Sequence, residues 1–306
     1  MLHHYLHHYE LSPFSEKIRL MFGYCDAQWQ SVISPAMPPR SIVDPLAGGY
    51  RRIPVMQLGA DVFCDTKLIA NELATAYNKP ELAFETCGKD VADYSNHIDT
   101  TVFMAGVQTA TPLQAIATVF KLFSPLQAIK FINDRIAVRK ASSVKPLSRK
   151  SALKLIADHY ADMESKLTEN EFLFGNSPTI ADFSAYHNLW FKNLSNGGKP
   201  LEGHQKVNAW FNRMSKFGHG QRTGATKKNA FESAKNQAPR NIPTNMLKAE
   251  NIGEKVLIKP SDYAKDSVRG VLVGENQSRW ILARDTTEFG ALHVHFPKQG
   301  FEISLL

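Results

Sequence analysis

The first residues of chemical interest are Ser12-Pro13-Phe14-Ser15, where a predicted strand ends and a predicted helix begins. Backbone amides and the positive end of the helix dipole lie at such a point, so it favours an anion. A hydroxyl there can donate to a bound thiolate and lower the pKa of a thiol, which is about 8.5 for free cysteine. Serine is also a good helix cap, and these four residues taken alone favour the cap.

The second group is Arg52-Ile53-Pro54-Val55, at the predicted start of a strand. Proline is tolerated there near a sheet edge, because its missing N–H does no harm. If the Ile53–Pro54 bond is cis, the Ile53 backbone faces outward and can pair with an extended peptide like an added strand. Arg52, beside this proline, can meet a carboxylate. The alternatives are an ordinary strand-start proline and a solvated arginine.

The third group is Asp65-Thr66, between a predicted strand and a predicted helix. Thr66 and the first helix amides can hold a carboxylate, while Asp65 accepts from an ammonium group. This pairing suits an amino-acid head group, which carries both charges. The alternative is again helix capping, since both residue types are good caps.

Four histidines near the N-terminus, His3, His4, His7 and His8, resemble a metal cluster. On a strand, however, His3 and His7 face one side while His4 and His8 face the other, which makes a poor tetrahedral site. We therefore predict no metal. Cys64 is interpreted as a packed strand residue and not as a redox thiol.

The elements that must position these groups form three regions. The first eighty residues predict the order strand–helix–strand–loop–strand–strand–helix, which is typical of a mixed sheet with helices. The predicted segments are strand 2–9, helix from 13 to 21, strand 29–33, loop 34–49, hairpin 54–58 and 62–64, and helix 66–77. From about residue 86 to 217 the apolar spacing is helical throughout, and Thr179-Ile180-Ala181-Asp182 predicts a capping box.

The remaining residues change character twice. Residues 218–244 are polar and without periodicity, which predicts a linker or an arm wrapping the helical domain. Short strands at regular spacing then predict a small antiparallel β-barrel over 245–306, with strands at 255–259, 270–273, 279–283 and 292–296. Its turns include Pro260-Ser261-Asp262, and composition does not identify a ligand for this region.

Composition limits the cell compartment and the partners. The chain has 306 residues, no apolar run near the roughly 18 of a membrane span, and no signal-peptide pattern. Its three cysteines are too few and too irregular for a disulfide framework or a zinc site. We therefore expect a reducing, cytoplasmic location and no membrane partner.

The net charge of +7 is concentrated in one run without acidic residues. Its basic residues are Arg135, Arg139, Lys140, Lys145, Arg149, Lys150 and Lys154. No aromatic residue interleaves the run, so it lacks a surface for stacking bases. We predict a solvated face and expect no nucleic-acid partner.

The order of the three groups resembles the glutathione S-transferase superfamily, with its thioredoxin-like N-terminal domain and all-helical C-terminal domain. The resemblance covers roughly residues 1–217. It is carried by Tyr9-Glu10-Leu11-Ser12-Pro13-Phe14-Ser15, Arg52-Ile53-Pro54-Val55-Met56, Phe63-Cys64-Asp65-Thr66 and Ser177-Pro178-Thr179-Ile180-Ala181-Asp182-Phe183. It implies a thioredoxin-like domain at 1–80 and a helical domain at 86–217, and the β region lies outside it.

The resemblance also implies residue roles. Ser12 occupies the position of the family's catalytic Ser or Cys, and Ile53, beside a cis-Pro54, would pair with the cysteinyl part of glutathione. Asp65-Thr66 replaces the family's usual Glu-Ser pair, which binds the γ-glutamyl end. The Asp is one methylene shorter. Arg52, with Arg51 as the alternative, would take the glycyl carboxylate.

These roles imply a glutathione-dependent transferase that joins the glutathione thiolate to a small hydrophobic electrophile, as a homodimer. Serine at position 12, where cysteine would suggest thiol transfer, favours conjugation or isomerisation. Tyr9 and Ser15 are alternative donors to the sulfur. The alternative function is a non-catalytic scaffold of the same fold that uses the β region and the basic run as interaction surfaces.

Overall fold

The N-terminal third forms a mixed sheet with helices, as predicted. The computed structural model describes residues 3–306, without the side chains at 112, 195 and 196, so residue 2 of the first predicted strand lies outside the described residues. The strands are β1 (His4–His8), β2 (Gln28–Ile33), β3 (Val55–Leu58) and β4 (Asp61–Cys64). The helices are α1 (Pro13–Tyr24), α2 (Val43–Ala47) and α3 (Thr66–Ala76).

The pairing of these strands follows the thioredoxin-like order. β1 runs parallel to β2 and antiparallel to β3, and β3 pairs antiparallel with β4. The short helix α2 lies within the stretch predicted as loop 34–49, because Val43, Leu46 and Ala47 are buried against the sheet although the surrounding sequence is rich in turn residues.

The middle third is helical, and α4 and α5 are joined by one π turn at Ile98–Val102. The helices are α4 (Lys89–His97), α5 (Phe103–Gln108), α6 (Pro112–Leu122), α7 (Pro125–Lys140), α8 (Arg149–Glu169), α9 (Ile180–Asn196) and α10 (Gln205–Ser215). The predicted capping box is confirmed at the start of α9, where the Thr179 amide donates to the Asp182 carboxylate at 2.9 Å. The same buried carboxylate accepts from Trp210 Nε1 at 2.9 Å, which fixes α10 against α9.

Among the described residues no single helix is long and apolar enough to cross a membrane. A bent pair, 89–108 with 113–122, meets that test by length and composition only.

The C-terminal region is all-β, as predicted, but its strands continue the first sheet. They are β6 (Lys255–Pro260), β7 (Val268–Glu275), β8 (Arg279–Thr286), β9 (Gly290–Pro297) and β10 (Phe301–Leu305). β9 pairs in parallel with β4, so the strand order is β10-β6-β7-β8-β9-β4-β3-β1-β2-β5. A free edge at β4 would expose unpaired backbone groups, and β9 covers it.

A buried side-chain contact reinforces this junction. His295 of β9 bonds Asp61 of β4 at 2.7 Å between Nε2 and Oδ1, and the other Asp61 oxygen accepts from the Arg240 amide at 2.9 Å. Burial lowers the pKa of His295, while the contacts to His295 and Arg240 lower that of Asp61 although burial opposes them.

The polar segment 218–244 packs on the sheet, and this differs from the expected linker or arm on the helical domain. It contains β5 (Gln221–Gly224), which adds in parallel to β2, and α11 (Lys227–Lys235). Phe231 and Ala234 of α11 enter the core formed with α2 and the C-terminal strands. The apolar positions of α11 are too few to give a helical periodicity, so its sequence does not predict a helix.

Candidate functional site

A cleft of about 490 Å³ lies where the three regions meet. Its walls come from residues within segments 50–54 and 65–67 of the N-terminal sheet, 96–108 and 144–147 of the helical region, and 261–263 and 299–301 of the C-terminal strands. Phe14, in the first turn of α1, also contributes. The cleft therefore contains residues that are up to 287 positions apart in the sequence, from 14 to 301.

Ile53 and Pro54 line this cleft at the start of β3. The bond between them is cis. Ladder pairing of β3 begins after Pro54, at Val55. Within residues 3–306, neither the amide nor the carbonyl of Ile53 takes part in a backbone hydrogen bond. An extended peptide in the cleft could therefore pair with Ile53.

Asp65 and Thr66 line the same cleft at the N-terminus of α3. The Asp65 carboxylate caps the helix by accepting from the Lys67 amide at 3.0 Å, so the alternative role as a cap is realised. Asp65 has φ +77°, a left-handed conformation that is uncommon for a residue other than glycine. This turn places a carboxylate and the helix amides at one point of the wall, where a head group with both charges would meet complementary groups.

Lys67 was not singled out from the sequence. Its Nζ donates to Asn96 Oδ1 at 2.8 Å and to Gln299 Oε1 at 2.9 Å, so it links the sheet to the helices and to the C-terminal strands. Burial lowers the pKa of Lys67, and the nearby Asp65 and Asp99 work against that shift. No local pattern could have identified this lysine, because its partners lie on distant segments.

Arg52 lines the cleft but is already occupied. Its guanidinium forms an ion pair with Asp262, donates to the Tyr263 carbonyl, and stacks on the Tyr263 ring at 4.1 Å from the ring centroid. Arg51 points elsewhere, since it pairs with Asp134 of α7 and is outside the cleft wall. The carboxylate partner expected for Arg52 is thus supplied by the chain itself.

Ser12 is the N-cap of α1, and the cleft wall formed by the described residues includes Phe14 but not Ser12. Its Oγ accepts from the Ser15 amide at 3.1 Å, and only 2% of the residue is exposed. Burial raises the pKa of the nearby Tyr9 phenol, against the effect of the Ser12 side chain and the surrounding arginines. Of the predicted site residues, the cleft therefore brings together Arg52, Ile53, Pro54, Asp65 and Thr66, and Ser12 is not in its wall.

A buried ionic network stands behind the cleft and was missed in the sequence. Lys17 of α1 donates to Asp99 Oδ2 at 2.7 Å and to Ser184 Oγ at 2.9 Å. His187 Nε2 bonds the other Asp99 oxygen at 3.0 Å. Burial alone would raise the pKa of Asp99, but Lys17 and His187 hold it well below its ordinary value.

The position of Asp99 depends on the π turn between α4 and α5, a feature that occurs often at functional sites. Asp99 lines the cleft, so the network joins α1, the π turn and α9 directly behind the site. One feature of the sequence indicated this network: Lys17 lies on the otherwise apolar face of the predicted first helix.

The N-terminal histidines have ordinary partners. His7 Nε2 lies 3.0 Å from Gln57 Oε1, and His8 Nε2 lies 2.8 Å from Ser31 Oγ. Within residues 3–306 no three His, Cys, Asp or Glu side chains are grouped as metal ligands. The basic run is largely exposed along α7, the following loop and the start of α8.

Two family models match the chain. One, described as the N-terminal domain of glutathione S-transferase, covers residues 6–81, and the other, its C-terminal domain, covers residues 132–213. A solved GST-like protein from Pseudomonas syringae is 31% identical, with 100% of both chains covered and a TM-score of 0.79. This likeness therefore extends over the C-terminal strands as well.

Two more distant solved structures are similar to part of this chain. A glutathione S-transferase from Rhodospirillum rubrum F11 is 17% identical over 69% of this chain and 87% of its own, with a TM-score of 0.47. The Tau class glutathione S-transferase of mango, Mangifera indica, is 11% identical over 70% and 88%, with a TM-score of 0.48. No curated protein matches this chain in sequence.

Proposed function

Because the chain belongs to the glutathione S-transferase superfamily, we propose that it is a glutathione-dependent transferase that conjugates the glutathione thiolate to a small hydrophobic electrophile. One observation carries the proposal. The free backbone of Ile53 and the Asp65-Thr66 turn, which lie on separate elements, open into a single cleft of about 490 Å³. This volume is within the range of small-ligand sites.

The tripeptide would lie extended along the cleft wall at the start of β3. Its cysteinyl backbone would pair with Ile53, and the γ-glutamyl head group would meet Asp65, Thr66 and the N-terminus of α3. The ammonium would donate to the Asp65 carboxylate, and the carboxylate would accept from helix amides, each a charge-assisted contact. The glycyl end would then face Arg52.

The sulfur would be activated at the start of α1. Ser12 Oγ accepts from the Ser15 amide and keeps its own proton, which it would donate to the thiolate. The thiolate then attacks the electrophile, a carbon–sulfur bond forms, and the leaving group departs with its electron pair. Ser12 is not among the described residues that line the cleft, whereas Phe14 is, and Tyr9 and Ser15 remain the alternative donors.

The electrophile would bind on the helical side of the cleft. This wall carries apolar side chains from two segments, Phe103 and Met104 from α5 and Val144 and Leu147 from the loop before α8. These four side chains offer an apolar surface for a small hydrophobic substrate, beside polar residues of the same segments such as Gln108 and Lys145.

Calorimetry of the full chain with millimolar glutathione tests the proposal, and the absence of binding would overturn it. Turnover is tested separately with 1-chloro-2,4-dinitrobenzene, whose chloride is displaced by the thiolate. Ser12→Ala should retain glutathione binding but raise the pKa of the bound thiol, seen as thiolate absorbance. An unchanged titration would move the role of donor to Tyr9 or Ser15.

We also propose that the protein is a cytoplasmic homodimer. Exposed large apolar side chains on α6 and α7, among them Leu113, Leu126 and Ile129, form a surface that a second copy could cover. Light scattering after size exclusion gives the oligomeric state, and a monomer at tens of micromolar would contradict the dimer.

A further inference from the structure

The Arg52 guanidinium in the cleft wall is already paired with a carboxylate of the chain without a ligand. Arg52 forms an ion pair with Asp262, and their side chains are 15% and 31% exposed. A cationic and an anionic group in contact leave little net field for an incoming carboxylate. A free glycyl carboxylate would therefore have to compete with Asp262 for the same guanidinium.

Asp262 is held in this position by three further contacts. The Asp262 carbonyl accepts from the Ser143 amide at 2.9 Å, and its carboxylate accepts from the Tyr263 amide at 2.8 Å. Ser143 Oγ also donates to the Ser261 carbonyl at 2.9 Å. The turn 261–263 is thus fixed to the segment after α7, and the Ser261 amide also donates to the Gly300 carbonyl before β10 at 3.0 Å. Displacing Asp262 from Arg52 would therefore disturb a turn that is held on two sides.

Two buried donors at the same end have no partner. The Tyr50 hydroxyl and Arg52 Nε are both inaccessible to solvent, and neither makes a hydrogen bond within the described residues. Tyr50 is 1% exposed and lines the cleft together with Arg52 and Tyr263. Because both atoms are closed to solvent, neither is available to a glycyl carboxylate in this conformation.

We propose that Asp262 sets the specificity of the cleft for the glycyl end of its ligand. With Arg52 neutralised, the cleft binds γ-glutamylcysteinyl peptides whose third residue is an ester or amide at least as tightly as it binds glutathione. This inference rests on the proposed binding of glutathione.

Calorimetry of the full chain with glutathione and with glutathione monoethyl ester, which lacks the glycyl charge, tests the inference. The wild-type dissociation constants should agree within about twofold or favour the ester. Asp262→Asn keeps an acceptor oxygen for the Tyr263 amide but frees the charge of Arg52, so it should shift the ratio toward glutathione by about tenfold.

Asp266→Asn is the matched control, because Asp266 is 47% exposed and lies 3.8 Å from Arg51, away from Arg52. Asp266→Asn should leave the ratio of the dissociation constants of glutathione and its monoethyl ester unchanged. A wild-type preference for glutathione of tenfold or more overturns the inference, as does an unchanged ratio in a folded Asp262→Asn variant. If neither ligand binds the wild type, the proposed function itself fails and the inference fails with it.

Discussion

The two ends of the cleft are built in different ways. At the Asp65 end, comprising Asp65, Thr66 and Lys67, the carboxylate caps a helix only two residues away. At the Arg52 end, comprising Arg52, Asp262 and Tyr263, the arginine pairs with a carboxylate 210 residues away. The Asp65 end offers its groups to a ligand, whereas the Arg52 end has its charge balanced by the chain. The same kind of residue can thus serve binding or packing, depending on what the rest of the fold brings to it.

The largest expected effect comes from Lys17→Met, which acts behind both ends. It removes the ammonium that neutralises the buried Asp99, and a buried charge left without its partner typically costs about 3–5 kcal/mol. Urea denaturation should show this loss in the free energy of unfolding. Lys154→Met is the control, since its ion pair with Asp158 is exposed and its loss should be small.

The stability of Lys17→Met at acid pH tests whether Lys17 is the partner of Asp99. The pKa of Asp99 is lowered in the folded chain, so its stabilisation is complete above the unfolded value of about 4 and is lost as pH falls toward the folded value. Between about pH 4 and 2 the wild type should therefore lose more stability than Lys17→Met. Equal losses would contradict the pairing of Lys17 with Asp99.

The second largest effect, on glutathione affinity, is expected at the Asp65 end. Asp65→Asn keeps an oxygen to cap α3 and tolerates the positive φ, so the free energy of unfolding should change little. It removes the charge that would meet the ammonium, so glutathione binding should weaken by about tenfold or more in calorimetry. Loss of stability without loss of affinity would reduce Asp65 to a helix cap and break the comparison.

The smallest effect is expected at the Arg52 end. Arg52→Lys, which keeps a cation beside Asp262, should change glutathione affinity by less than about threefold, because no guanidinium contact to the ligand is lost. Arg51→Lys serves as the control, since Arg51 pairs with Asp134 outside the cleft wall. A tenfold loss in Arg52→Lys would mean that the guanidinium holds the glycyl carboxylate after all.

The features predicted from the sequence are those set by neighbouring residues. The strand-start proline at Pro54, the Asp65-Thr66 turn and the Thr179–Asp182 capping box each depend on a few adjacent positions, so local propensity was enough to locate them. The same logic predicted Ser12 as a helix cap, and the structure has it in that role. Its proposed contact with a sulfur depends on the ligand and stays a prediction.

The features that the sequence did not reveal depend on distant pairs. The contacts of Arg52 with Asp262 and of Lys17 with Asp99 join segments whose approach is decided only by the complete fold. The extension of the sheet through β9 has the same origin. Alternating apolar residues predicted a strand there, but they carry no information about which edge it would pair with.

The pairing of β4 with β9 also has a consequence for synthesis on the ribosome. His295 follows its partner Asp61 by 234 residues, which at about 5–20 residues per second corresponds to roughly 10–50 s of translation. During that interval the first sheet can form, but its β4 edge has no covering strand. The apolar residues Val62 and Phe63 then lie on an open edge, a known hazard for association between nascent chains.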